Sequence, residues 1–138
     1  MADLERAVAL DPGNGDIWVS LGHMAVEKKR WRQALDYYEG GIKAVPGNFF
    51  PWYGRSLVYR ELGHFEESLR DITHAIRLHP YLAYGCETRG RIYEKMGLLE
   101  KAVADLDAAV RLDASTKYAQ HYRAELRKKL ERKNSLDC

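Results

Sequence analysis

The same residues return every 34 positions along this chain. Trp18 is followed by Trp52, and Pro12, Pro46 and Pro80 stand at equal separations of 34 residues. Written in rows of that length, the sequence puts Tyr59 over Tyr93, Gly63 over Gly97 and Ala75 over Ala109. Apolar columns run through Leu4, Tyr38, Ile72 and Leu106, and through Leu10, Ala44, Leu78 and Leu112. A fixed period of this size marks a solenoid, in which one supersecondary unit is copied and each copy buries its apolar face against the next.

Each row reads as two helices. In the second row Trp52, Tyr59 and Leu62 form one apolar face, and Leu69, Ile72 and Ile76 form the next. Spacings of three, four and seven are helical and do not suit a strand. Gly63 and Gly97 fall between the two helices of their rows, where a helix C-terminus favours a residue that tolerates positive φ. Pro46 and Pro80 follow the second helix and stop it, because proline lacks a donor and clashes with the preceding turn. Asp16 and Asn48 sit at the starts of first helices, in capping or turn positions.

These columns resemble the tetratricopeptide repeat. The row 15–48 carries Trp18, Leu21, Gly22, Ala25, Ala34, Tyr38, Gly41 and Pro46. The row 49–82 keeps Trp52, Tyr59, Gly63, Phe65, Ala75 and Pro80, and the row 83–116 keeps Gly90, Tyr93, Gly97, Ala102 and Ala109. In that last row Cys86 replaces the Trp and Ala114 the Pro. The resemblance implies an all-α fold, a right-handed α-solenoid of helix-turn-helix repeats, as a single domain over residues 1–138. Residues 1–14 would be the second helix of a half-repeat, the three rows would be full repeats, and residues 117–138 would be a closing helix with Tyr118, Tyr122, Leu126 and Leu130 on one side. It also implies close helix approach at the small columns Gly22, Ser56, Gly90, then Ala34, Ser68, Ala102, then Gly41, Ala75, Ala109. Trp18, Trp31, Tyr38, Trp52, Tyr59, Phe65 and Tyr93 are expected to fill the gaps between rows as structural core and not as a ligand box.

Catalytic chemistry finds little to work with. His23, His64, His74, His79 and His121 fall in no HExxH or metal-spaced group, the glycines match no phosphate-binding loop, and there is no GxSxG elbow. Glu66, Glu67, Asp105 and Asp107 read as solvated helix residues. No enzymatic activity, metal or cofactor is expected. The longest uncharged stretch near the centre, residues 44–54, is 11 residues with two prolines, too short to span a bilayer. The N-terminal residues lack a signal-peptide core. Two cysteines, Cys86 and Cys138, without paired spacing indicate a reducing, cytoplasmic setting, with Cys86 a small buried hydrophobe and Cys138 an exposed thiol.

What remains is recognition. The resemblance implies a concave groove lined by first helices, and its positions here are Asp16, Val19, His23, Val26 and Glu27, then Phe50, Tyr53, Leu57, Arg60 and Glu61, then Tyr84, Glu87, Arg91, Glu94 and Lys95, with His121 and Glu125 behind. Phe50, Tyr53, Leu57 and Tyr84, bordered by Arg60, Arg91 and Lys95, make an aromatic and cationic patch of the kind that anchors a protein or peptide partner. The alternative for Phe50 and Tyr53 is packing on the preceding helix near Val45 and Pro46. One branch of the family grips chaperone C-terminal tails with a two-carboxylate clamp of Lys, Asn and Arg. Its places here hold Val19, His23, Gly54, Tyr84 and Thr88, so such a tail is not an expected partner.

Two further surfaces stand as alternatives. Residues 117–138 carry 7 basic and 3 acidic residues, against 15 and 17 in residues 1–116. Arg127, Lys128, Lys129, Arg132 and Lys133, with Arg123, are the candidate anion-binding residues for nucleic acid or an anionic membrane. Glu125 and Glu131 interrupt them, and Arg127 with Glu131 reads as a helical ion pair. At the front, Leu4, Val8 and Leu10 would lack part of their packing. A segment cut from a longer array, self-association through these residues, and simple tolerance of the loss all fit.

Overall fold

A computed structural model describes residues 2–137, the last by its backbone alone. Among these residues every regular element is an α-helix: α1 (Ala2–Leu10), α2 (Gly15–Glu27), α3 (Trp31–Ala44), α4 (Phe49–Glu61), α5 (Phe65–Leu78), α6 (Ala83–Lys95), α7 (Leu99–Leu112) and α8 (Lys117–Asp137). They fall into two compact units, Met1–Leu78 with α1 to α5 and His79–Cys138 with α6 to α8.

Two kinds of turn alternate, and each repeats its chemistry. After α2, α4 and α6 the chain passes through a left-handed residue, at Lys29 (φ 56°), Gly63 (φ 78°) and Gly97 (φ 79°). The following amides of Arg30, His64 and Leu98 reach back to the carbonyls of Ala25, Tyr59 and Tyr93, each at 2.9 Å. This is the Schellman closure, which satisfies carbonyls that a helix end would otherwise orphan. The glycine expectation therefore holds at Gly63 and Gly97, while the first row puts a lysine in the same conformation.

The turns after α1 and α3 contain Pro12 and Pro46. Each ends in an asparagine whose side chain accepts an amide hydrogen bond: Asn14 from Asp16, and Asn48 from Phe50, both at 3.2 Å. The cap before α2 is thus Asn14 and not Asp16, whose amide is the donor. The tryptophans brace the same turns. Trp18 donates its indole N–H to the Pro12 carbonyl at 2.8 Å, and Trp52 donates to that of Pro46 at 3.1 Å. In the second unit Gln120 holds the corresponding column and donates to the Ala114 carbonyl. Cys86 stands there between them, buried and free, and burial raises the pKa of its thiol.

In the first unit α2 packs on α3, α4 on α5, and α3 and α2 on α4, while α1 rests on α2. The core lies where the small columns meet. Ala25, Ala34, Tyr38 and Val58 form a buried cluster, with Val26, Trp31, Leu35 and Tyr37 packed against it. Ser68 donates its hydroxyl to the Ser56 carbonyl at 2.6 Å, so this small pair draws α4 and α5 together and satisfies its own polar atoms. In the second unit Gly90 faces the Ala102 carbonyl and Asp105, and a Cβ there would stand 3.2 Å from that oxygen. Ala102, Leu106 and Ala109 are buried on α7, and Ala119 and Leu126 on α8.

The outer helix α1 has no buried residue. Leu10 is 87% exposed, and Leu4 and Val8 are half-buried. Glu5 ties α1 inward by accepting from the Tyr37 hydroxyl at 2.7 Å.

Candidate partner-binding cleft

The last two turns of α2, the stretch 31–38 of α3 and the stretch 53–61 of α4 do not close completely on one another. Between them lies a cleft of about 450 Å³. One wall is His23, Val26 and Glu27 of α2, and the opposite wall is Tyr53, Leu57, Val58, Arg60 and Glu61 of α4. Trp31 and Tyr38 of α3, with Gly54, complete it. The back of the cleft is the core cluster itself, since Tyr38 and Val58 belong to both.

Glycine makes this geometry possible. A Cβ on Gly54 would stand 2.5 Å from the Tyr38 ring, and one on Gly22 would stand 2.3 Å from it. The ring therefore slides between α2 and α4 only because both positions lack a side chain. Burial raises the pKa of the Tyr38 hydroxyl and keeps it neutral. His23 leans edge-on against the ring at 5.9 Å between centroids. Tyr53 is held by stacking on buried Phe49, 5.3 Å apart and 21° from parallel. The mouth is charged: Glu27 and Glu61 are exposed and Arg60 is half-buried.

The fold and the turns just described match known sequence patterns. One profile described as tetratricopeptide repeat covers residues 2–49, and a second covers residues 51–81 and 83–116. The chain belongs to the tetratricopeptide repeat family. Its helices also superpose on solved tetratricopeptide domains. The first such domain of Spaghetti (RPAP3), bound to the HSP90 peptide SRMEEVD, gives a TM-score of 0.83 at 21% identity, covering 88% of this chain and 96% of that one. The OM64 domain of Arabidopsis gives 0.79 at 25% identity, with 83% and 94% covered. Among curated proteins, Protein bimA of Emericella nidulans is 30% identical over 76 residues, 55% of this chain; the chain spans 9% of that protein's length.

The expected groove residues of this tetratricopeptide chain do not all meet. His23, Tyr53, Leu57 and Arg60 come together in the cleft, with Val26, Glu27 and Glu61 beside them. Val19 is half-buried and outside the lining. Phe50 is 50% exposed and stands edge-on to Phe49 at 5.5 Å, also outside it. The core expectation holds for Tyr38, which is 1% exposed and backs the cleft, whereas Trp31 is only partly buried and lines it. Gly54, one of the clamp places, lines the cleft through its backbone, since it carries no side chain.

In the second unit Tyr84 and Lys95 are exposed, and Glu87 and Arg91 are half-buried. Burial raises the pKa of the Glu87 carboxyl, and Arg91 opposes the shift. Arg91 does not stand bare as a groove cation: its guanidinium lies 4.8 Å above the Tyr118 ring and 6.0 Å from that of Tyr122. On α8, Arg127 pairs with Asp107 at 2.8 Å, and Arg123 reaches the same oxygen at 3.4 Å. That takes the place of the expected Arg127–Glu131 pairing, because Asp107 on the neighbouring helix stands within reach of both Arg123 and Arg127 and is the less exposed carboxylate. Lys128, Lys129, Arg132 and Lys133 are exposed.

Asp105 corrects a second expectation, that it is solvated. It is 6% exposed and takes two hydrogen bonds from Arg89, each at 2.8 Å. Among the described residues no three His, Cys, Asp or Glu side chains are grouped to hold a metal ion. No described helix is long and apolar enough to cross a membrane.

Proposed function

We propose that this chain is a non-catalytic interaction module that holds a segment of a partner protein in the cleft between α2, α3 and α4. The observation that carries the reading is the cleft's make-up. Aromatic and aliphatic walls from Trp31, Tyr53, Val26 and Leu57 offer apolar area, and a few polar groups sit at the mouth. Bulky, rigid side chains of this type give most of the binding energy where proteins meet, because they bury large surfaces while losing few rotamers. Membership of a family whose folds serve as interaction modules supports the same view. An acidic chaperone tail, such as the peptide held by the Spaghetti domain, is not the expected partner. The five clamp places here, Val19, His23, Gly54, Tyr84 and Thr88, offer no lysine, arginine or asparagine.

The test is affinity capture from cell extract with wild type and a Tyr53→Ala/Leu57→Ala variant side by side. Circular dichroism should show an unchanged helical fold, while capture of the specific partner weakens by more than about 2 kcal/mol. Equal capture by the two proteins would remove this cleft from consideration.

A further inference from the structure

We propose that the segment the cleft accepts is basic: a lysine or arginine whose aliphatic stem lies along the walls and whose charged head meets Glu27 and Glu61, next to an apolar anchor. This deepens the reading above and rests on it. Three features converge. First, the walls present the partly exposed rings of Trp31 and Tyr53, and aromatic faces attract a cation held within about 6 Å of the ring centre. Second, the lining carries two carboxylates against one guanidinium, that of Arg60, and both carboxylates are exposed at the mouth. Third, the apolar positions between them suit the methylene stem of a long cationic side chain, which buries its stem and keeps its head in water.

His23 and Gly54 both line this cleft, and neither brings a fixed positive charge. At Gly54 the buried Tyr38 ring packs directly against the helix, which leaves no room for a side chain of any charge. The cations Lys28, Lys29 and Arg30 follow Glu27 in the turn, but they are exposed and none of them lines the cleft.

The experiment is selection of the full chain against a displayed library of random peptides about twelve residues long, with Tyr53→Ala as the counter-selection. Binding of the best peptide is then measured by fluorescence anisotropy. The expected result is enrichment of lysine or arginine beside leucine or an aromatic residue. Affinity should fall about fivefold or more in a Glu27→Gln/Glu61→Gln variant and decline as salt is raised. Both carboxylates are exposed, so that variant should keep the wild-type circular dichroism. Enrichment of aspartate or glutamate, or an affinity indifferent to the two substitutions, overturns the charge assignment. If Tyr53→Ala still weakens the selected peptide, the cleft stands as the site. No enrichment over the Tyr53→Ala background overturns the cleft itself.

Discussion

Arg55 grips Asp71 with two parallel hydrogen bonds, Nε to one carboxylate oxygen at 2.7 Å and a terminal nitrogen to the other at 2.8 Å. The side chain of Asp71 is 6% exposed and that of Arg55 is 20% exposed. The guanidinium also lies 5.3 Å from the Trp52 ring, so the pair is shut in by an aromatic. Thirty-four residues later, within the other unit, Arg89 holds Asp105 with the same fork.

Removing one partner of such a pair strands a buried charge. We expect Asp71→Leu or Arg55→Met alone to cost about 3 kcal/mol, whereas the double variant should lie within about 1 kcal/mol of wild type. Urea unfolding of the four proteins closes the cycle. Additive losses would show that the two residues act separately.

Lys29 holds the left-handed position that glycine holds at 63 and 97, and its Cβ crowds the following carbonyl. Lys29→Gly should therefore stabilise the first unit by about 1 kcal/mol, and Gly63→Ala should destabilise by a similar amount. Thermal melts of the two variants, read against wild type, test both signs.

Packing at the small columns admits little growth. Ala34 and Ala102 are fully buried, and Ala34→Leu or Ala102→Leu should each cost roughly 1–3 kcal/mol by overpacking. Gly54→Ala should cost a similar roughly 1–3 kcal/mol, because its new methyl meets the Tyr38 ring, and Tyr38→Leu in the same chain should return part of the loss. Denaturant midpoints measure all four; a neutral Gly54→Ala would mean that the ring has room to move.

Alkaline pH should loosen the first unit through Tyr37. Burial and then the hydrogen bond to Glu5 push its hydroxyl from 10.0 up to about 12. The folded state then keeps a proton that the unfolded chain releases, so this contribution is complete below pH 10 and is lost as pH rises towards about 12. In Tyr37→Phe the fall in melting temperature across that window should be shallower. Superimposable wild-type and variant profiles would remove the hydroxyl from the account.

Much of the fold was legible because the 34-residue period reports local physics. Gly63 and Gly97 announced left-handed turns, and Pro46 and Pro80 announced helix ends, each through a backbone constraint that acts within a few residues. The Arg55/Arg89 and Asp71/Asp105 columns carried the same period and went unread. Their pairing spans 16 residues across two helices, and nothing in a single helical face reveals it. Asp107 shows the same limit, since its partners Arg123 and Arg127 lie on the next helix.

The sequence by itself determined that the chain folds as paired helices, where the helices stop, and which small residues let them touch, because propensity, capping and period are properties of neighbouring residues. Only the tertiary structure decided that Trp31 faces a cleft backed by buried Tyr38, that His23, Tyr53, Leu57 and Arg60 meet there, and that Val19 and Phe50 do not. A cleft is space left over when three helices pack at a particular distance. Here that distance depends on a tyrosine ring entering between two glycines, one on α2 and one on α4.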